Sequence, residues 1–292
     1  MSELTFRQQI ARTLIISAFV TLASAFFTSP DAYPPVDFYQ SWAATVSDGL
    51  MTCDNVYGRD DRAAMAKEFG RVSEMSSISE LQSDIAGKTK SLAPIGSPLD
   101  LALMKHLFIG DFERDYLFFR TLSVFSFLFG VSLIYLSLRP GAGLISCIAV
   151  PLLAALYPPF WLDLFAGGLN SLQMLFIGAG VALFVHLDES WRYSVAGAAL
   201  TFAAMVKPTA VYAVPLLVVL FAFGRGGRAA AMSLVGVLFA VAFSWIVVHL
   251  VTANRPAWID YRQALVDVYQ PQLSGSLLWR FKSVDFWVAV AA

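Results

Sequence analysis

The chain is short of charge: Asp, Glu, Lys and Arg make up 14% of its 292 residues against 58% hydrophobic residues, and its mean hydropathy is +0.65. So small a polar supply cannot cover a water-facing surface, which excludes a soluble globular protein and implies an integral membrane protein. The formal net charge is only -1, so nothing in the overall balance calls for nucleic acid or another strongly anionic partner. Cysteine is scarce as well. Cys53 falls in a polar segment and Cys147 in an apolar run, so they differ in depth and read as free thiols, not a disulfide framework. There is no glycine-rich phosphate loop, no His-Glu-x-x-His, no paired-cysteine motif and no internal repeat, which leaves nucleotide hydrolysis and zinc chemistry without support. No cofactor and no metal are expected.

What the chain has in abundance is long apolar runs. They cover Ile10 to Phe27, Tyr116 to Leu138, Gly143 to Pro158, Gly167 to Leu187, Ser194 to Val206, Thr209 to Gly224 and Ala229 to Val251, seven candidate spans in an all-helical, polytopic bundle. The fifth and sixth reach only roughly 20 and 24 Å at 1.5 Å per residue, short of a hydrocarbon core of about 30 Å. Lys207-Pro208 breaks the helix between them and belongs in a polar cavity or at the interface, since proline removes a backbone donor and lysine is costly at the bilayer centre. The first run reads as a retained signal anchor, because further spans follow and no small-residue cleavage site precedes Pro30.

The arginines set an orientation. Arg7, Arg12, Arg139, Arg192, Arg225 and Arg228 all fall on one side of the seven spans, which places the N-terminus in the cytoplasm and the long loop outside. That loop, residues 28–115, carries helical patterns of its own within a single membrane domain spanning 1–292. Phe38, Trp42, Val46 and Leu50 recur at helical spacing, as in a helix lying along the interface with its aromatics in the headgroup zone. Ala63 to Met75 and Ile78 to Ile85 read as polar helices. Ser97-Pro98 starts another, with Leu101, Leu103, Met104, Leu107 and Phe108 as its apolar residues. The expected result is a helical cap over the bundle. Pro159 to Ala166 reads as a second, shorter outer loop.

Asp37 is the leading candidate for chemistry. It lies about ten residues beyond a first span roughly 27 Å long, at the level where a lipid-linked substrate would present its polar head. Two plainer roles compete, because aspartate is also a favoured helix N-cap, and a carboxylate such as Asp163 in a loop is commonly just solvated. Lys207 can likewise snorkel to the interface without a ligand. His186 and His249, at span ends, and His106, on the loop helix, read as structural. Trp42, Trp161, Trp191 and Trp258 fit an aromatic belt, with Trp42 and Trp161 also able to stack on a sugar ring.

Val36-Asp37-Phe38-Tyr39-Gln40-Ser41-Trp42-Ala43-Ala44 after the first span, Ser97-Pro98-Leu99 before the second, Gly167-Gly168-Leu169-Asn170 opening the fourth and Val206-Lys207-Pro208-Thr209 between the short pair together resemble the GT-C superfamily of polytopic glycosyltransferases. The closest likeness is to bacterial membrane mannosyltransferases that use polyprenyl-phosphate sugars. The resemblance implies transfer of a hexose, mannose in the first instance, from a polyprenyl-phosphate donor to a glycan or glycolipid acceptor outside the cytoplasmic membrane. It implies Asp37 as the base, and Lys207 and then Arg120 as the positive charge for the departing phosphate. Asn170, Asp163, Tyr39 and Trp42 are the other candidate substrate contacts. The chain departs from the family pattern at Gly168, where glutamine is common, and at Phe286 to Ala292, where an apolar run begins and the chain stops, as in a truncated product. Two readings from other classes compete: a transporter or flippase-like carrier, which would also use broken helices and an intramembrane lysine, and a non-catalytic scaffold of the same fold.

Overall fold

A backbone in lipid has no water to bond, so the apolar runs satisfy their amides and carbonyls internally and fold as helices. The computed structural model describes residues 6–27, 35–47, 57, 62–88, 96–139, 141–186, 190–207, 219, 224–251 and 257–263, and the regular elements among them are all helical. They are α1 (Phe6–Phe27), α2 (Val36–Val46), α3 (Arg62–Ser73), α4 (Ser79–Lys88), α5 (Pro98–Leu107), α6 (Phe112–Leu138), α7 (Leu144–Ala155), α8 (Pro158–Ala166), α9 (Asn170–His186), α10 (Ser190–Val206) and α11 (Gly227–Val251). A further short helix covers 257–263. Cys53, Leu50, the body of the Thr209 to Gly224 run and the Phe286 to Ala292 segment lie outside the described residues.

By length and composition two helices can cross a membrane, α6 and α11, and a third candidate is the α7–α8 pair, bent by 58° at its break. The apolar parts of α1 and α9 are shorter. The segment from Pro159 to Ala166 is therefore helix, where the hydropathy pattern suggests a loop. Pro158 and Pro159 occupy the first two helical positions, where a missing N–H costs nothing and the fixed φ favours the helix. Gly167 ends α8 in the left-handed region, at φ 86°.

One end of the bundle collects Arg139, Arg192, Arg225 and Arg228. Gln9 of α1 donates to the Ala142 carbonyl at 2.9 Å, and Phe6 stacks on His186 with ring centroids 3.5 Å apart. Arg225 donates to the Val185 carbonyl at 2.7 Å, and Arg228 to Ser190 Oγ at 3.3 Å. The start of α1, the ends of α6 and α9 and the starts of α7, α10 and α11 thus meet at this end. The cap helices α2 to α5 sit at the other.

Lipid tails are as apolar as leucine, so helices in a bilayer associate through close packing of small residues. On α11 the buried face is Ala229, Ser233, Gly236, Ala240, Ser244 and Val248, whereas Leu234, Leu238, Phe239, Ile246 and Leu250 point outward, each more than half exposed. A Cβ on Gly236 would run into the Ser194 carbonyl of α10, and one on Gly197 into Ser233. Gly130 of α6 and Gly178 of α9 approach each other's helices in the same way. Gly236→Leu is expected to force α10 and α11 apart at a cost of about 3 kcal/mol, read as a lower thermal midpoint in detergent. Leu238→Ala on the outward face should leave that midpoint nearly unchanged.

The cap is built on α2, and here the structure corrects the sequence. Phe38 and Trp42 do not present their rings to lipid headgroups; both are 0% exposed inside the protein. Phe38 packs among Phe108, Phe112, Tyr116 and Phe119, while Met65, Phe69, Leu81 and Ile85 of α3 and α4 complete the same core. Asp115 fastens the cap to α6: its carboxylate accepts from Trp42 Nε1 at 2.9 Å and from the amides of Ile109 and Gly110 at 3.0 and 2.9 Å.

The start of α5 follows the sequence: Ser97 caps it by accepting from the Asp100 amide at 3.1 Å, and Pro98 is its first residue. Asp100 itself is buried, and burial pushes its carboxyl from 3.8 up to about 8. The native state therefore holds a proton that the unfolded chain releases near 3.8, and stability falls as pH rises through the window from there to about 8. Asp100→Asn is expected to flatten this dependence. Its thermal midpoint should exceed that of the wild type at pH 8 and approach it at pH 4.

Candidate functional site

Three polar side chains meet at the cap end, and each has an apolar neighbour that fixes it. Phe38, Leu169 and Val206 all belong to the cap core, and they adjoin Asp37, Asn170 and Lys207 in sequence. Burying each such side chain is worth roughly 1.5–3 kcal/mol, so the three polar groups are held by packing that they do not themselves provide.

Asp37 lies in the first turn of α2, one residue past its start. The cap position belongs to Pro35, which makes no side-chain hydrogen bond, so capping is not the role of Asp37. It is half-buried, and among the described residues none donates a hydrogen bond to its carboxylate. Burial raises its pKa above the usual carboxylate range; the Lys207 ammonium opposes that rise and the Asp163 carboxylate adds to it. A carboxyl shifted upward is a stronger base when ionised, as proton abstraction near neutral pH requires.

Asp163 is on α8 and is neither in a loop nor freely solvated. Its Oδ1 accepts from Asn170 Nδ2 at 2.6 Å, and its backbone carbonyl accepts from the amides of Gly167 and Gly168 at 3.1 and 2.8 Å. These bonds close the glycine turn between α8 and α9. A Cβ on Gly167 would meet Phe38, and one on Gly168 would meet the Asp163 carboxylate. The room a side chain would need at position 168 is therefore taken by Asp163.

Lys207 stands at the end of α10, where a cation complements the negative end of the helix dipole. Its ammonium acts on both Asp37 and Asp163. Gln173, buried on α9, holds that helix end: its Nε2 donates to the carbonyls of Ala203 at 2.8 Å and Lys207 at 2.6 Å. The sequence reading missed Gln173, although a lone amide in the apolar stretch Leu172 to Ile177 was the available signal. It also missed Asp115.

The remaining candidates stand apart from this group. Arg120 is buried on α6, with its guanidinium 5.8 Å from the centre of the Tyr116 ring, and among the described residues it is not one of the charges acting on Asp37. Tyr39 donates its hydroxyl to the Phe69 carbonyl, and Trp42 is committed to Asp115. Both are 0% exposed, so their place is inside the cap core. Trp161 donates to the Ala155 carbonyl at 2.6 Å across the α7–α8 break. Among the described residues no group of three or more His, Cys, Asp or Glu could hold a metal ion.

The assembled chemistry is a half-buried carboxylate able to take a proton, a second carboxylate tied to a helix start, and one ammonium facing both. Such a set can deprotonate a hydroxyl and stabilise an anion a short distance away. No curated protein and no solved structure matches the chain. Residues 97–291 match the family model described as Glycosyltransferase family 87. Asp163, Asn170, Gln173 and Lys207 fall inside the match, whereas Asp37 precedes it. The match covers well over half of the sequence, and the chain belongs to glycosyltransferase family 87.

Proposed function

We propose that this glycosyltransferase moves a hexose, mannose in the first instance, from a polyprenyl-phosphate donor to a glycan or glycolipid acceptor at the outer face of a bacterial cytoplasmic membrane. Seven spans, with the arginine end in the cytoplasm, would put the cap and the site outside. The observation that carries the proposal is the meeting of Asp37, Asp163 and Lys207 at the end of the bundle opposite the arginines. In that setting the acceptor hydroxyl oxygen bonds to the anomeric carbon, and its proton passes to Asp37. The bond from the anomeric carbon to the phosphate oxygen breaks, and the polyprenyl phosphate leaves with the electron pair. Lys207 faces that developing charge. Arg120 supplies a second positive charge farther into α6, Asn170 and Asp163 border the sugar, and Tyr39 and Trp42 hold α2 in place behind it.

The donor class is tested by supplying inverted and right-side-out vesicles with either labelled polyprenyl-phosphate mannose or a labelled nucleotide sugar. Transfer from the lipid phosphate in right-side-out vesicles is expected. Transfer from the nucleotide sugar, in vesicles unable to make the lipid intermediate, would overturn the donor assignment.

A further inference from the structure

Asp163 is the one charged group of the site whose surroundings exceed what substrate contact alone requires. Its backbone carbonyl makes the Gly167–Gly168 turn, and that turn lies against the backbone of Phe38, the residue after Asp37. Its Oδ1 is taken by Asn170, and the Asn170 and Ser171 amides at the start of α9 also face the carboxylate. The other oxygen, Oδ2, is buried and makes no hydrogen bond. What balances it is Lys207, the same ammonium that faces Asp37.

We propose that Asp163 is the positioning residue of the site: it fixes where Asp37 stands through the glycine turn, and it shares Lys207 with Asp37 so that the lysine does not pair fully with the base. The proposal rests on Asp37 being the base. A base locked in a tight ion pair with a lysine would be a poor proton acceptor. A second carboxylate draws the same ammonium and adds a like charge of its own, and both effects keep Asp37 basic. Among the described residues, the charged groups facing Asp37 are Lys207, at the end of α10, and Asp163, on α8.

Asp163→Asn keeps the shape of the side chain and an oxygen for Asn170 while removing the charge. The full-length protein in detergent is treated across a pH series with a hydrophobic carbodiimide, which reacts with protonated carboxyls, and labelling at Asp37 is read by peptide mass. The pH of half-maximal labelling is expected to fall by about 0.5–1 in Asp163→Asn and to rise in Lys207→Gln. The acid limb of the transfer rate should move down in Asp163→Asn by the same amount. A midpoint that stays put or rises in Asp163→Asn overturns the proposal, since a purely structural role would not move it downward. Labelling needs no turnover, so it decides the Asp163 proposal even where transfer fails. Transfer that survives Asp37→Asn overturns the base assignment separately.

Discussion

Asp37→Asn is expected to lower kcat for sugar transfer by about 10³-fold while leaving KM for the lipid-linked donor within about threefold. A positioned general base typically contributes 10²–10⁴-fold, and an amide of the same shape cannot accept the proton. The packing should survive the change. Asp37 contributes no cap to α2, and its neighbour Phe38 remains locked among Phe108, Phe112, Tyr116 and Phe119. A loss confined to kcat at normal expression would therefore report chemistry, whereas a loss accompanied by a lower thermal midpoint would report damage to the cap.

Lys207→Met should cost about 10²-fold in kcat/KM, the range for removing one electrostatic stabiliser of a developing anion, with part of the loss in KM because a phosphate is charged before it departs. Methionine keeps much of the apolar stem, and the backbone of residue 207 is held independently by Gln173. Arginine at 207 should recover part of the rate, because it restores the charge without the geometry of an ammonium. Equal kinetics for Lys207→Met and the wild type would show a lysine that only snorkels to the interface.

The parts of this fold that can be read from the sequence are those with a single dominant cause. Tyr116 to Leu138 and Ala229 to Val251 are long apolar runs, and each emerges as one helix, α6 and α11, extended by a few residues at its start. Ser97-Pro98 carries both a cap residue and a favoured first residue, and α5 begins there. Positions governed by tertiary contact do not announce themselves. Pro158-Pro159 looks like a break but also suits the first turn of a helix, and only the chain packed around it decides. Trp42 looks like an interfacial tryptophan because its partner Asp115 lies 73 residues away, at the start of another helix.

The candidate site was legible in the same uneven way. Asp37, Asp163, Asn170 and Lys207 stand out as polar residues flanking apolar runs, and the structure brings them to one end of the bundle. That Asp163 faces Lys207 and fills the space beside Gly168 depends on how α8 folds back onto α9, which no local pattern encodes. Gln173 acts through two backbone carbonyls of α10, and such bonds leave no complementary residue type in the sequence for a reader to pair it with.

The most direct test is transfer of radiolabelled mannose from polyprenyl-phosphate mannose in membranes carrying the wild-type chain or Asp37→Asn at matched expression. The site described above predicts transfer by the wild type and its loss in the variant; equal transfer by the two proteins would contradict it.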